Sequence, residues 1–94
     1  MGLMVYKYPV QIKDRFSLNL PVNARPLCVA VQHGDPVMWA SFNAADKDIL
    51  APREFVVLGM GHECIFTSSS LRYVGTFMLF DGGFVGHVFE VVKE

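Results

Sequence analysis

Residues 58 to 64 read LGMGHEC, which brings two glycines, a histidine, an acid and a thiol into seven positions. Three chemistries are open to such a set: a thiolate paired with an imidazole, a metal held by nitrogen and sulfur, and a glycine loop that cradles phosphate. On a strand His62 and Cys64 point to one side, because side chains repeat every second residue. A metal would then draw its other ligands from His33, His87 and Cys28, and none of these has the Cys-x-x-Cys spacing of a zinc motif. A nucleophilic Cys64 beside His62 or His87 lacks an orienting third group and an oxyanion device. Gly59 and Gly61 open no helix, so they do not form a phosphate loop and more simply mark a bulge or a close backbone approach. Ser68, Ser69 and Ser70 lack the glycine-flanked elbow of hydrolases. The favoured reading is a strand end with a solvent-facing His62 and a small buried Cys64, with no catalytic residue, metal or cofactor. His62, Cys64 and His87 remain the candidates of the alternative, a small metal- or thiol-dependent enzyme.

The elements that would position these residues follow from alternation. RFSLNLP sets Phe16, Leu18 and Leu20 on one side and Ser17 and Asn19 on the other, the pattern of a half-buried strand. In LCVAVQHGDPVMWASF, Gly34 supplies a positive dihedral and Pro36 ends ladder pairing, which predicts a hairpin of residues 27–33 with 37–42. Asp81-Gly82-Gly83 predicts a second hairpin of 72–80 with 84–92. NAADKDILAPRE has the composition for one or two helical turns before Pro52 and reads equally as a loop, and TSSSLR reads as a polar 3₁₀ turn. The expected strands are 3–10, 15–20, 27–33, 37–42, 54–60, 72–80 and 84–92. The fold class is therefore all-β and mostly antiparallel, a sandwich or small barrel of about seven strands with at most one short helix, in a single domain over 1–94.

Composition bounds the function. Hydrophobic residues make up 52% of the chain and charged residues 18%, with a net charge of −1 and no basic cluster. That argues against binding a phosphate backbone. Tyr6, Tyr8 and Tyr73 are the residues that would stack bases in an alternative reading as a single-stranded nucleic-acid-binding β domain. No apolar run reaches the ~18 residues of a membrane span. The start MGLMVYKYPV lacks a signal peptide's basic region and cleavage site, and Tyr6 occupies the position where myristoylation wants Ser or Thr. A cytoplasmic protein with two buried thiols, Cys28 and Cys64, is the expectation.

Several strands read apolar on both faces, which a two-layer sandwich does not require. Val74, Met78 and Phe80 oppose Tyr73, Phe77 and Leu79, while Leu3 and Val5 oppose Met4, Tyr6 and Tyr8. Surplus apolar surface of this kind predicts barrel closure, a homodimer or a partner protein. Tyr6, Tyr8, Val74, Met78 and Phe80 are the candidate partner-binding residues, with Asp46 and Asp48 from the polar segment. Trp39, alternating with Val37 and Ser41, is expected in the core, and His87, between Val85 and Phe89, in a core or an interface.

The order VYKYPV, DRFSLNLP, LCVAVQHGDPVMWA, GMGH, LRYVGTF and GGFVGHVFE resembles a family of small uncharacterised proteins found in phages, prophages and some bacteria. The resemblance covers nearly the whole chain except FNAADKDILAPREF and ECIFTSSS. It implies no activity and no catalytic residues. It does imply a context, in which small phage proteins bind host proteins in the host cytoplasm, including CRISPR effector complexes and other defence machinery. Asp35, Asp46, Asp48, Glu54 and Glu63 are the acids such an inhibitor would present. The expected function is thus non-enzymatic protein binding, with a second copy or a host complex as partner.

Overall fold

The computed structural model describes residues 2–92. Seven strands form two antiparallel sheets: β1 (Leu3–Pro9), β2 (Arg15–Pro21), β3 (Arg25–Gln32), β4 (Asp35–Asn43), β5 (Leu50–Leu58), β6 (Leu71–Leu79) and β7 (Phe84–Val91). The smaller sheet has the order β1-β4-β3 and the larger β2-β5-β7-β6. No ladder joins the two, so the fold is an open sandwich and not a closed barrel. Among the described residues no helix is long and apolar enough to cross a membrane.

Both expected hairpins are present. His33 and Gly34, with φ of 53° and 83°, form the two-residue turn that pairs Gln32 with Asp35, as a turn with two positive dihedrals does between twisted strands. Phe84 pairs with Leu79 at the tip of the second hairpin. The stretch read as helical supplies only a 3₁₀ turn over Ala44–Asp46, and β5 begins at Leu50. Pro52 is tolerated inside β5 for a geometric reason. Val57 N–H donates to the Asp14 carbonyl and Val22 N–H to that of Ile49, so at Pro52, opposite Asn19, the missing donor faces away from β2. On that side the ladder to β7 pairs Phe55 to Leu58, and a proline is accepted beyond the end of such a ladder.

The core lies between the sheets. Phe16 and Leu20 of β2, Met38 and Phe42 of β4, Phe55 and Val57 of β5, Phe77 of β6 and Val88 of β7 are buried there. Phe16 and Phe55, opposite each other on adjacent strands, stack with ring centroids 5.4 Å apart. The sheets come together along β3 and β6. Gly75 lies so close to Val29 that a Cβ added to it would stand 2.9 Å from the Val29 backbone nitrogen.

Two assignments of side chains to faces change. A bulge between Tyr73 and Gly75 leaves Val74 out of the ladder, so the alternation of β6 shifts phase. Val74 joins Phe77 and Leu79 in the core, while Tyr73 and Met78 face solvent. On β4 the core face is Met38, Ala40 and Phe42. Trp39, expected inside, alternates with these residues and stands on the outer face of the small sheet, half-buried.

Candidate functional site

The LGMGHEC stretch begins at a strand end and continues as a loop, with His62 exposed as expected and Cys64 only partly buried. β5 stops at Leu58, and His62 N–H donates to the Gly59 carbonyl at 3.3 Å, which closes a turn with Gly61 at a φ of 78°. The positive dihedral explains Gly61. Gly59 is explained by the His62 ring folding back on it: a Cβ there would meet Nδ1 and Cε1 at 2.9 Å. His62 and Cys64 therefore share a loop and not one face of a strand.

This loop covers a cleft of about 640 Å³ beside β2 and β5, lined by Val56, Leu58, Ile65 and Phe66 with His62 and Cys64 at its polar side. Two of its polar groups, Cys64 and Arg15, are engaged. The Cys64 thiol donates to the Phe66 carbonyl at 3.4 Å. The Arg15 guanidinium sits 5.1 Å from the Phe66 ring centroid and donates through Nε to Glu54 at 2.7 Å, a cation held between a ring and a carboxylate. His87 is not part of the cleft lining. On β7 its Nδ1 is 2.9 Å from the Thr76 hydroxyl, which is 2.5 Å from that of Tyr73. Among the described residues no group of three or more His, Cys, Asp and Glu is gathered as a metal needs.

The remaining candidates fall in several places. Tyr6 packs edge-on against Phe42 with centroids 4.9 Å apart, and Tyr8 lies 6.5 Å from Tyr6. Burial, with the Tyr6 phenol adding to it, pushes the Tyr8 hydroxyl above its ordinary 10.0. Tyr73 is on the outer face of the large sheet against Phe89, so the three tyrosines do not share a surface. Val74 is buried, Met78 is exposed on the large sheet, and Phe80 is 82% exposed in the turn beyond β6. Asp46 closes the 3₁₀ turn and Asp48 is exposed just after it. The thiols are both free, and Cys28, expected to be buried, is exposed.

The surface that sequence reasoning missed is the outer face of the small sheet. Lys7, Trp39 and Cys28 lie side by side across β1, β4 and β3. Val5 and Leu3 continue the row on β1 and are 49% and 74% exposed. Lys7 Nζ donates to Gln32 Oε1 at 2.5 Å, and Arg25, Ser41 and Asn43 add polar side chains to the same face. The signal was present in β4, where the polar Ser41 and Asn43 share the phase of Trp39 and the apolar Met38, Ala40 and Phe42 share the other.

A family model described as "Domain of unknown function (DUF7352)" matches residues 1–94. The chain belongs to this DUF7352 family. Comparison with curated proteins and with solved structures gave no match in either case. DUF7352 carries no assigned activity, so the reading of the site rests on its geometry.

Proposed function

We propose that this DUF7352 domain acts by binding protein, without catalysis, through the outer face of its three-stranded sheet. The observation that carries this reading is the position of Trp39. It stands on the central strand of the sheet, on the side away from the core, between Lys7 and exposed Cys28, with exposed Val5 and Leu3 further along β1. No other strand of the described chain pairs with β1 on its outer edge. Tryptophan flanked by apolar side chains and rimmed by polar ones is the composition of an interface anchor, since a large rigid ring buries much area at little entropic cost. The resemblance to phage and prophage proteins supports a host complex as the partner to try first.

The test compares wild-type protein with Trp39→Ala as baits for candidate host effector complexes, followed by reconstitution with the purified partner. Retention by wild type and its loss in Trp39→Ala is the expected result. A partner held equally by both baits would overturn the assignment to this face.

A further inference from the structure

We infer that two copies of this chain join by antiparallel pairing of their β1 strands about a two-fold axis at Val5. The inference rests on the reading of the three-stranded sheet as a protein-binding element and names a second copy as the partner at its β1 edge, beside the Trp39 face. It starts from the hydrogen-bond phase of β1. Ala44 N–H donates to the Gly2 carbonyl and Val10 N–H to that of Pro36, so the even-numbered residues of β1 exchange bonds with β4. In an antiparallel ladder the residues between them turn their amides the other way. Leu3, Val5 and Lys7 therefore direct N–H and C=O to the free edge, where no backbone partner exists among the described residues.

The other edges are managed. β3 and β6 close on each other at Val29 and Gly75. β2 presents Arg15, Ser17 and Asn19 on its outer face, with Arg15 and Ser17 both bonded to Glu54, the polar protection typical of an edge that stays single. β1 instead carries Leu3 and Val5, with Lys7 tied back over the face to Gln32.

One self-pairing register uses all the outward amides of Leu3, Val5 and Lys7. Centred on Val5, it sets Val5 against its symmetry mate and Leu3 against Lys7 of the second copy, so every outward amide from 3 to 7 is used. Centred on Lys7, it would oppose two like charges. Centred on Tyr6, it would place Pro9, which has no N–H, opposite Leu3. The two-fold axis then runs perpendicular to the sheet, so both Trp39 faces lie on the same side of one continuous six-stranded sheet.

The test uses substitutions that separate edge from face. Val5→Pro removes an outward N–H that β4 does not use, a change an edge strand accepts, and circular dichroism checks that the fold is kept. By light scattering after size exclusion, wild type is expected to be a dimer and Val5→Pro at least tenfold weaker in self-association. In a Cys28→Ser/Cys64→Ser background, Val5→Cys is expected to form an intermolecular disulfide readily, because paired Cα atoms at roughly 5.5 Å fall within disulfide reach; Tyr6→Cys, on the core-facing side, is not. A wild-type monomer at all concentrations, or a dimer that survives Val5→Pro, overturns the inference. A dimer lost in Trp39→Ala but kept in Val5→Pro also overturns it while leaving the protein-binding face in place.

Discussion

Arg53 and Glu90 form a bidentate ion pair on the core-facing side of the four-stranded sheet. The Arg53 Nε and Nη2 groups each donate to one Glu90 oxygen, and Nη2 also donates to the Ala24 carbonyl at 2.9 Å. The Glu90 side chain is only 4% exposed and that of Arg53 22%. A carboxylate so enclosed needs its partner, because breaking a buried pair leaves a desolvated charge. Arg53→Ala should cost about 2–4 kcal/mol in urea denaturation. The double variant Arg53→Met/Glu90→Leu should recover most of it; a double variant as unstable as the single one would show that the pair is not a desolvation problem.

Gly75 marks the contact between the two sheets. A methyl group there meets the Val29 backbone and not the end of a flexible chain, so relief requires β3 and β6 to separate. Gly75→Ala should destabilise the domain by roughly 1–3 kcal/mol. Gly2→Ala, where a Cβ meets nothing within 4 Å, is the control and should leave thermal unfolding unchanged.

How far the sequence revealed this molecule depends on the range of the interactions involved. Both hairpins were legible because His33-Gly34 and Asp81-Gly82 are local turn signals, and the seven strands followed from alternation. The bulge at Val74 was not legible, since the side chains around it are apolar in either phase. Trp39 is a different case: Ser41 and Asn43 share its phase and mark that face as the outer one, but the large apolar ring beside Val37 reads as core. The Arg53–Glu90 pair joins residues 37 apart in sequence, and only the β5–β7 ladder brings them together. His62 and Cys64 read as lying on one face of a strand, but Gly59 and Gly61 build a turn that takes them off it. What lies at the cleft and on the Trp39 face thus depended on topology, which periodicity does not encode.

Phe80 sits in a left-handed conformation, with a φ of 54°, while 82% exposed. A bulky residue there is strained, and so little burial offers no compensation. Phe80→Gly relieves the strain at the cost of a more flexible unfolded chain. The expected result is a net gain of up to about 1 kcal/mol and a higher melting temperature. A loss of stability would instead mean that the Phe80 ring contributes contacts worth more than its strain.

Glu54 links stability to pH. Arg15 Nε donates to its Oε2 at 2.7 Å and the Ser17 hydroxyl to its Oε1 at 3.0 Å, and these bonds hold its carboxyl below the ordinary 4.5. Because the folded-state value is the lower one, the unfolded chain takes up the proton first as pH falls. The contribution is therefore present above about pH 4.5 and disappears as the pH drops through the folded-state value. Arg15 and Glu54 are 40% and 35% exposed, so solvent screening limits the effect to roughly 0.2–1 kcal/mol. Thermal melts of wild type and Glu54→Gln should differ near neutrality, converge under acid, and differ less in high salt. A difference that stayed the same from neutral to acid pH would assign the loss in Glu54→Gln to packing and not to the ionised carboxylate.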